Sequence, residues 1–308
     1  MTKRKILIQL DSDPHASAFD AVVAIDAGID HLLQYSEVEP LEVRDLVHGA
    51  MFTRGPQDLA STAIFIGGSN VAASEELLKY VRQCFFGPLR VSVLLDANGA
   101  NTTAAAAVLS AAKHVDLAGA TAVVLGGTGP VGQRAARLLA RLGARVRVAS
   151  RSRDKAEHVC RAIGQQVAGG QLAAVVAVSA PETQAALAGA QVVIAAGAAG
   201  VELLSADVLA AARSLRVAID LNAVPPAGIA GIEVIDKAVE RGGAICYGAI
   251  GVGGTKMKIH KAAIERLFTA NDLVLDAEEV YAIGQTLSAH QPDARARDGR
   301  NSLAHASG

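Results

Sequence analysis

Lys256 and His260, two side chains able to hold or move charge, stand four residues apart in a segment, 255–268, whose apolar residues recur at helical spacing. On a helical wheel Met257, Ile259, Ala263, Ile264, Leu267 and Phe268 form one arc, and Lys256 and His260 fall in its middle. A cation and an imidazole centred on a face meant for burial are costly unless they meet partners or line a cavity. Two readings fit. Lys256 can snorkel from the first turn beside a satisfied core histidine, or both can line a cleft as polar groups for a ligand.

A second chemistry lies in the run Gly126-Gly127-Thr128-Gly129-Pro130-Val131-Gly132. It follows four apolar residues, 122–125, and opens a segment, 131–142, with helical periodicity. Gly127, Gly129 and Gly132 satisfy G-x-G-x-x-G: a tight turn, close backbone approach to a pyrophosphate, and close packing of helix on strand. The helix start adds free N–H groups and the positive end of a dipole. Arg134, Arg137 and Arg141 lie off the apolar stripe, which predicts that they point away from the core.

The next strand, 145–149, ends in Ser150-Arg151-Ser152-Arg153, where NAD enzymes usually carry an acid for the ribose 2′-hydroxyl. Arg151 and Arg153 present planar forks suited to a 2′-phosphate, which predicts NADP as the cofactor, with NAD accepted more weakly. The plainer alternative is a solvated basic turn with Asp154 as its partner. Strand 191–196 ends at Ala196 and Gly197, and strand 217–221 at Asn222, where the nicotinamide half would pass.

Two polar clusters sit where strands would turn into helices. Strand 5–10 leads to Asp11-Ser12-Asp13-Pro14-His15, then Ser17 with Asp20 three residues on. Asp20 is either part of a helix cap or a carboxylate at the rim of a parallel sheet. Strand 90–95 ends in Asp96-Ala97-Asn98-Gly99-Ala100-Asn101-Thr102-Thr103, ahead of an alanine-rich helix reaching His114. One cap, Asn101 or Thr102, needs only one such residue, so the surplus points to a polar ligand.

These residues must be held by an α/β chain. The 308 residues, 51% of them hydrophobic and 19% charged, suffice for two domains with real cores. Strand and helix segments alternate, which predicts an N-terminal α/β domain plus a doubly wound parallel Rossmann sheet, with the active site in the cleft between them. The boundaries expected are 1–115, 116–250, a helical return to the cleft over 251–290, and a disordered tail, 291–308, lacking apolar periodicity. A formal charge of −1 argues against nucleic-acid or anionic-membrane partners. No apolar run reaches bilayer length, and residues 1–10 lack a signal-peptide core. Cys84, Cys160 and Cys246 are odd in number, far apart and free of C-x-x-C, which suits buried thiols in a reducing, cytoplasmic setting and no metal cluster. The expected partners are small molecules and further copies of the chain.

The sequence also resembles a known family, the NADP-dependent methylene-tetrahydromethanopterin and methylene-tetrahydrofolate dehydrogenases of methylotrophic bacteria. The likeness runs through Ser17-Ala18-Phe19-Asp20, residues 61–65, Phe85-Phe86-Gly87-Pro88, residues 98–105, the glycine loop, Asn222-Ala223-Val224-Pro225-Pro226 and Gly253-Gly254-Thr255-Lys256. It implies reversible hydride transfer from the bridging methylene of a methylene-tetrahydropterin to NADP⁺, leaving a methenyl cation, in one-carbon metabolism. It maps the family's active-site lysine onto Lys256 and implies a pterin pocket with Phe19, Asp20, Asn98, Thr102, Thr103 and, behind the lysine, His260. Such a step needs orientation rather than a nucleophile or metal. The bifunctional folate dehydrogenase and cyclohydrolase family pairs a tyrosine with a nearby lysine, whereas Tyr35 here precedes Ser36-Glu37-Val38-Glu39, so no cyclohydrolase activity is expected. A shikimate-dehydrogenase-like enzyme and a non-catalytic NADP sensor are the competing readings; the sensor has no use for Lys256 and His260.

Overall fold

The computed structural model describes residues 3–289; the expected tail lies outside them. Strands are numbered in chain order. The first sheet holds β1 (Ile6–Leu10), β2 (His31–Tyr35), β3 (Thr62–Ile66), β4 (Ser92–Leu95) and the two-residue β12 (Val274–Leu275), all parallel, in the order β12-β4-β3-β1-β2. Every residue of β3 and β4 is buried, as expected for strands covered on both faces. The order reverses between β1 and β3, so the loops leaving their carboxyl ends part and open a crevice.

The second sheet holds β5 (Thr121–Leu125), β6 (Arg145–Ser150), β7 (Gln171–Val176), β8 (Val192–Ala195), β9 (Val217–Asp220), β10 (Lys237–Arg241) and β11 (Ala244–Tyr247). Its order is β10-β11-β9-β8-β5-β6-β7, parallel except for the edge strand β10. Here the reversal falls between β5 and β8, which is the Rossmann arrangement anticipated from the glycine loop.

Helix α4 (Ala100–Ala112) runs between the sheets and packs against α5 (Pro130–Arg141), α9 (Ala249–Arg266) and α10 (Ala277–Ala289). Its run Ala104–Ala107 is wholly buried, because methyl side chains let three helices approach it at once. Gly284 of α10 completes the close approach: a Cβ there would meet Leu109 and lie 2.9 Å from Ile259 Cδ1. Truncating Ile259, 1% exposed in this core, would cost about 2–5 kcal/mol.

Two expectations need correction. Helix α9 starts at Ala249, earlier than the periodicity suggested, and takes Gly251, Gly253 and Gly254 into its first turns. Gly248 and Gly251 press on the carbonyls of Glu233 and Asp236, a packing that no side chain permits. Second, Arg134 does not point away from the core. It is buried, donating from Nε to Asn101, from Nη1 to the Pro130 carbonyl (3.2 Å) and from Nη2 to Glu75 (2.9 Å), a carboxylate of α3 (Val71–Gln83). Arg137 and Arg141 likewise turn to Asp276 and Glu278. Between β1 and β3 the chain also forms β2 and, after it, α2 (Val43–Phe52). As an edge strand, β2 exposes Leu33 and Tyr35 and carries no alternating pattern.

Candidate active site

The glycine loop is built as its sequence requires. Gly126 has φ +68°, and a Cβ on it would lie 2.7 Å from the Gly197 α-carbon, so the loops leaving β5 and β8 touch backbone to backbone. A Cβ on Gly127 would lie 2.8 Å from Val148 Cγ1, and one on Gly132 2.8 Å from the Gly127 α-carbon, which is the close strand–helix packing expected of the third glycine. Gly129 ends the loop as the N-cap of α5 with no side chain, leaving the first-turn amides free for an anion. The Gln133 side chain pins the loop by donating to the Thr128 carbonyl at 2.8 Å.

Around it opens a cleft of about 390 Å³ lined by Gly126, Thr128, Gly129, Pro130, Ser150, Arg151, Ala196 and Gly197, with Leu203 packed beside Gly197. These residues fit a dinucleotide: a side-chain-free cradle at a helix start, and at the end of β6 an exposed guanidinium beside the Ser150 and Thr128 hydroxyls, 3.5 Å apart. The side chains of three other residues expected at the cofactor have neighbours of their own. Arg153 opens α6 (Arg153–Gln166) and pairs with Glu157 at 3.0 Å, because a residue at that position projects along its own helix. Val131 is half-buried between the two cores. Asn222 is 8% exposed and locks its own loop, accepting from Val224 N (3.0 Å) and donating to the Pro226 carbonyl (2.9 Å).

A second cleft, of about 330 Å³, opens at the carboxyl ends of the first sheet, where its strand order reverses. Asp13, His15, Ser17, Phe19 and Asp20 reach it from the β1 side, Gly68 and Ser69 from β3, Asn98 and Gly99 from β4, and Lys256 from α9. Ser17 caps α1 (Ala18–Asp26), accepting from Asp20 N at 3.2 Å, and its side chain also hydrogen-bonds the Asp20 carboxylate, which lines the cleft beside it. Lys256 Nζ lies 5.2 Å from the Phe19 ring centroid, and a Cβ on Gly99 would lie 2.5 Å from it. The lysine therefore rests on a glycine and under an aromatic ring, in the position of a cleft residue rather than a snorkelling one.

His260, wholly buried, stands behind. Its ring lies 5.7 Å from that of Phe65 and 6.4 Å from that of Phe19, and neither nitrogen has a hydrogen-bond partner within the described residues. Nε2 is 3.9 Å from Asp20 Oδ1, too far for a hydrogen bond. Burial lowers the imidazole pKa to about 4, against the pull of Asp20, so the ring is neutral at neutral pH. Burial likewise raises the Asp20 carboxyl, with His260 the main opposing influence.

Thr102 and Thr103 do not line this cleft. Thr102 is wholly buried and spends its hydroxyl on Asp96 Oδ2 at 2.6 Å, and Thr103 is half-buried on the helix side. Neither Asn101 nor Thr102 is the N-cap of α4; Gly99 is, at φ +59°, and Asp96 takes over the capping. Sequence reasoning thus missed Asp96 and Gly99 as site-building residues, along with Asp13, His15 and Ser69 at the mouth. The legible signal was the Asn98-Gly99 pair itself, since adjacent left-handed residues suit Asn and Gly. Among the described residues no three His, Cys, Asp or Glu side chains converge as a metal site, and no helix is long and apolar enough to cross a membrane.

Two α/β sheets, each with a crevice at its switch point and one crevice shaped to take a dinucleotide, define a Rossmann-type nicotinamide-dinucleotide oxidoreductase. The chain is 43% identical over 287 residues to "Bifunctional protein MdtA" of Methylorubrum extorquens, covering 92% of this chain and 99% of that one. It is 35% identical to the "NAD(P)-dependent methylenetetrahydromethanopterin dehydrogenase" of the same organism, covering 91% and 97%. Residues 18–98 match the family described as methylene-tetrahydromethanopterin dehydrogenase, N-terminal, and residues 109–236 the shikimate / quinate 5-dehydrogenase family. The chain belongs to the methylene-tetrahydromethanopterin dehydrogenase family. Among solved structures, quinate dehydrogenase of Corynebacterium glutamicum shares the fold with a TM-score of 0.53 at 14% identity, covering 93% of this chain and 100% of that one. The shikimate match spans only the dinucleotide sheet, so the shikimate-like reading is not favoured.

Proposed function

We propose that this enzyme reversibly oxidises N5,N10-methylene-tetrahydromethanopterin, and also methylene-tetrahydrofolate, to the methenyl form with NADP⁺. The observation that carries this reading is Lys256, seated against Gly99 and Phe19 where the first sheet opens. When bound, NADP⁺ supplies the nicotinamide carbon that takes the hydride, so the methylene carbon loses H⁻ and becomes part of a methenyl cation. No proton moves in that step, so the residues need only bind, orient and set the local charge.

Phe19, 53% exposed, offers its ring as a stacking face for the flat pterin. Asp20 accepts from the pterin's amino and amide edge, Asn98 contributes an exposed amide at the rim, and Lys256 fixes the reacting nitrogens. His260, neutral and unpartnered, supports the lysine from the next turn without adding charge where a cation forms. The glycine cradle holds the pyrophosphate, and Ser150, Thr128 and Arg151 favour a 2′-phosphate, so NADP is preferred over NAD. Exposed Val22 and Ile25 on α1 support a homo-oligomer, and three free thiols a cytoplasmic setting.

The test is NADPH or NADH formation by the purified protein with each methylene-pterin and each dinucleotide. Activity with NADP⁺ and methylene-tetrahydromethanopterin supports the reading; silence in all four mixtures, with NADP bound, overturns its pterin half.

A further inference from the structure

Gly99 and Lys256 pose a structural question that Asp96 answers. A helix start normally recruits a Ser, Thr, Asp or Asn side chain at its N-cap. Here the N-cap is Gly99, because a Cβ would fall 2.5 Å from Lys256 Nζ and 2.8 Å from its Cε. Capping is therefore displaced onto Asp96, three residues earlier. Its Oδ1 accepts from Asn101 N (2.9 Å) and Thr102 N (3.0 Å), and its Oδ2 from the Thr102 hydroxyl (2.6 Å). Its carbonyl accepts from Gly99 N at 2.9 Å, while Asn98 N donates to the Gly68 carbonyl at 2.8 Å. These bonds close the left-handed pair Asn98 (φ +51°) and Gly99 (φ +59°) into one fixed turn beneath the lysine.

A carboxylate only 1% exposed carries a cost that a cap alone does not demand, since a neutral side chain can also cap. Of the groups facing this turn, Lys256 of α9 is the cation that acts on it. The others are Asp20 of α1, His260 of α9, and Asp11, Asp13 and His15 of the loop after β1. Arg134 is turned to the Asn101 side chain, which also meets Asp276. Burial pushes the Asp96 carboxyl up to about 6, against the Thr102 hydrogen bonds and Lys256, so it is ionised at neutral pH.

We infer that Asp96 is a positioning residue for hydride transfer: it fixes the Asn98-Gly99 turn on which the Lys256 ammonium rests and supplies that ammonium's buried counter-charge. With Asp96 ionised, the lysine does not oppose the cation that forms on the substrate as hydride leaves. The inference rests on the reaction proposed above and names a residue that this reading did not include.

The experiment is the pH dependence of kcat, from pH 5 to 8.5, for wild type, Asp96→Asn and Thr102→Val, with NADP affinity measured in parallel. Wild type is expected to lose turnover below about pH 6. Asp96→Asn should lower kcat about tenfold at pH 7.5, the size of one lost charge-assisted contact, with NADP affinity within about twofold, and should lose the acid limb. Thr102→Val keeps the carboxylate but removes a donor that holds its pKa down, so its acid limb should move to higher pH. Wild-type kcat or an unshifted limb in Asp96→Asn overturns the inference. If that variant fails to accumulate as folded protein, a Thr102→Val limb at the wild-type position overturns it instead. An inactive wild type overturns the proposed reaction, and the inference with it.

Discussion

Lys256 Nζ lies 5.2 Å from the centroid of the Phe19 ring, the lysine contributed by α9 and the ring by α1. The ring is 53% exposed, so it covers the ammonium on one side and keeps a free face on the other. Replacing Phe19 by Ala should raise the KM for the methylene-pterin about tenfold, the loss expected for one stacking partner, while the KM for NADP stays within about twofold. Steady-state kinetics with each substrate varied in turn checks this; a change confined to NADP would remove Phe19 from the pterin side.

The exposed Arg151 guanidinium just past β6 is the group proposed to set the cofactor choice. Arg151→Ala should weaken NADP binding about tenfold or more, the size of a charged hydrogen bond to phosphate, and leave NAD binding nearly unchanged. Titration of both dinucleotides decides it. Equal losses would return Arg151 to the solvated basic turn that the sequence also allowed.

Gly99→Ala tests the lysine's seat. The left-handed φ of +59° makes any side chain cost about 1–2 kcal/mol, and its Cβ would displace the end of a flexible lysine rather than backbone. The denaturation midpoint should fall by what that strain predicts, and turnover of the protein still folded should fall about tenfold or more. Normal turnover in a folded variant would mean that the lysine does not need this floor.

Much of this arrangement was legible because each feature followed a local rule. The glycine loop, Ser17 as a cap and the α9 face carrying Lys256 and His260 depend on turn chemistry and helical period, and the structure places them where these rules predict. Thr102, Asn222 and Arg134 take partners that the sequence does not announce. A hydrogen-bonding residue at a strand end can serve a ligand or its own loop, and only the three-dimensional neighbours decide. Asn222 found Val224 and Pro226, Thr102 found Asp96, and Arg134 found Glu75 from another helix. Asp96 was hidden because two of its three partners are backbone amides, which leave no mark on the sequence.

The buried imidazole gives the fold an acid sensitivity. The His260 pKa falls from an ordinary 6.5 to about 4, so the unfolded chain binds the extra proton across that window. Stability from this group is complete above about pH 6.5 and is lost as pH falls, about 2 kcal/mol by pH 5. Asp20, raised by burial, works in the opposite direction and trims the loss. His260→Phe, an apolar ring between Phe19 and Phe65, should show a smaller drop in urea midpoint between pH 7 and pH 5 than wild type. An equal drop would place the acid sensitivity elsewhere.

The most direct test of the account is Lys256→Met, assayed for NADPH formation from methylene-tetrahydromethanopterin with NADP binding measured on the same preparation. Turnover should fall about a hundredfold, since loss of orientation near the reacting carbons acts on the chemical step, with NADP affinity within about twofold. Unchanged turnover in a folded, NADP-binding variant would contradict it and remove Lys256 from the reaction.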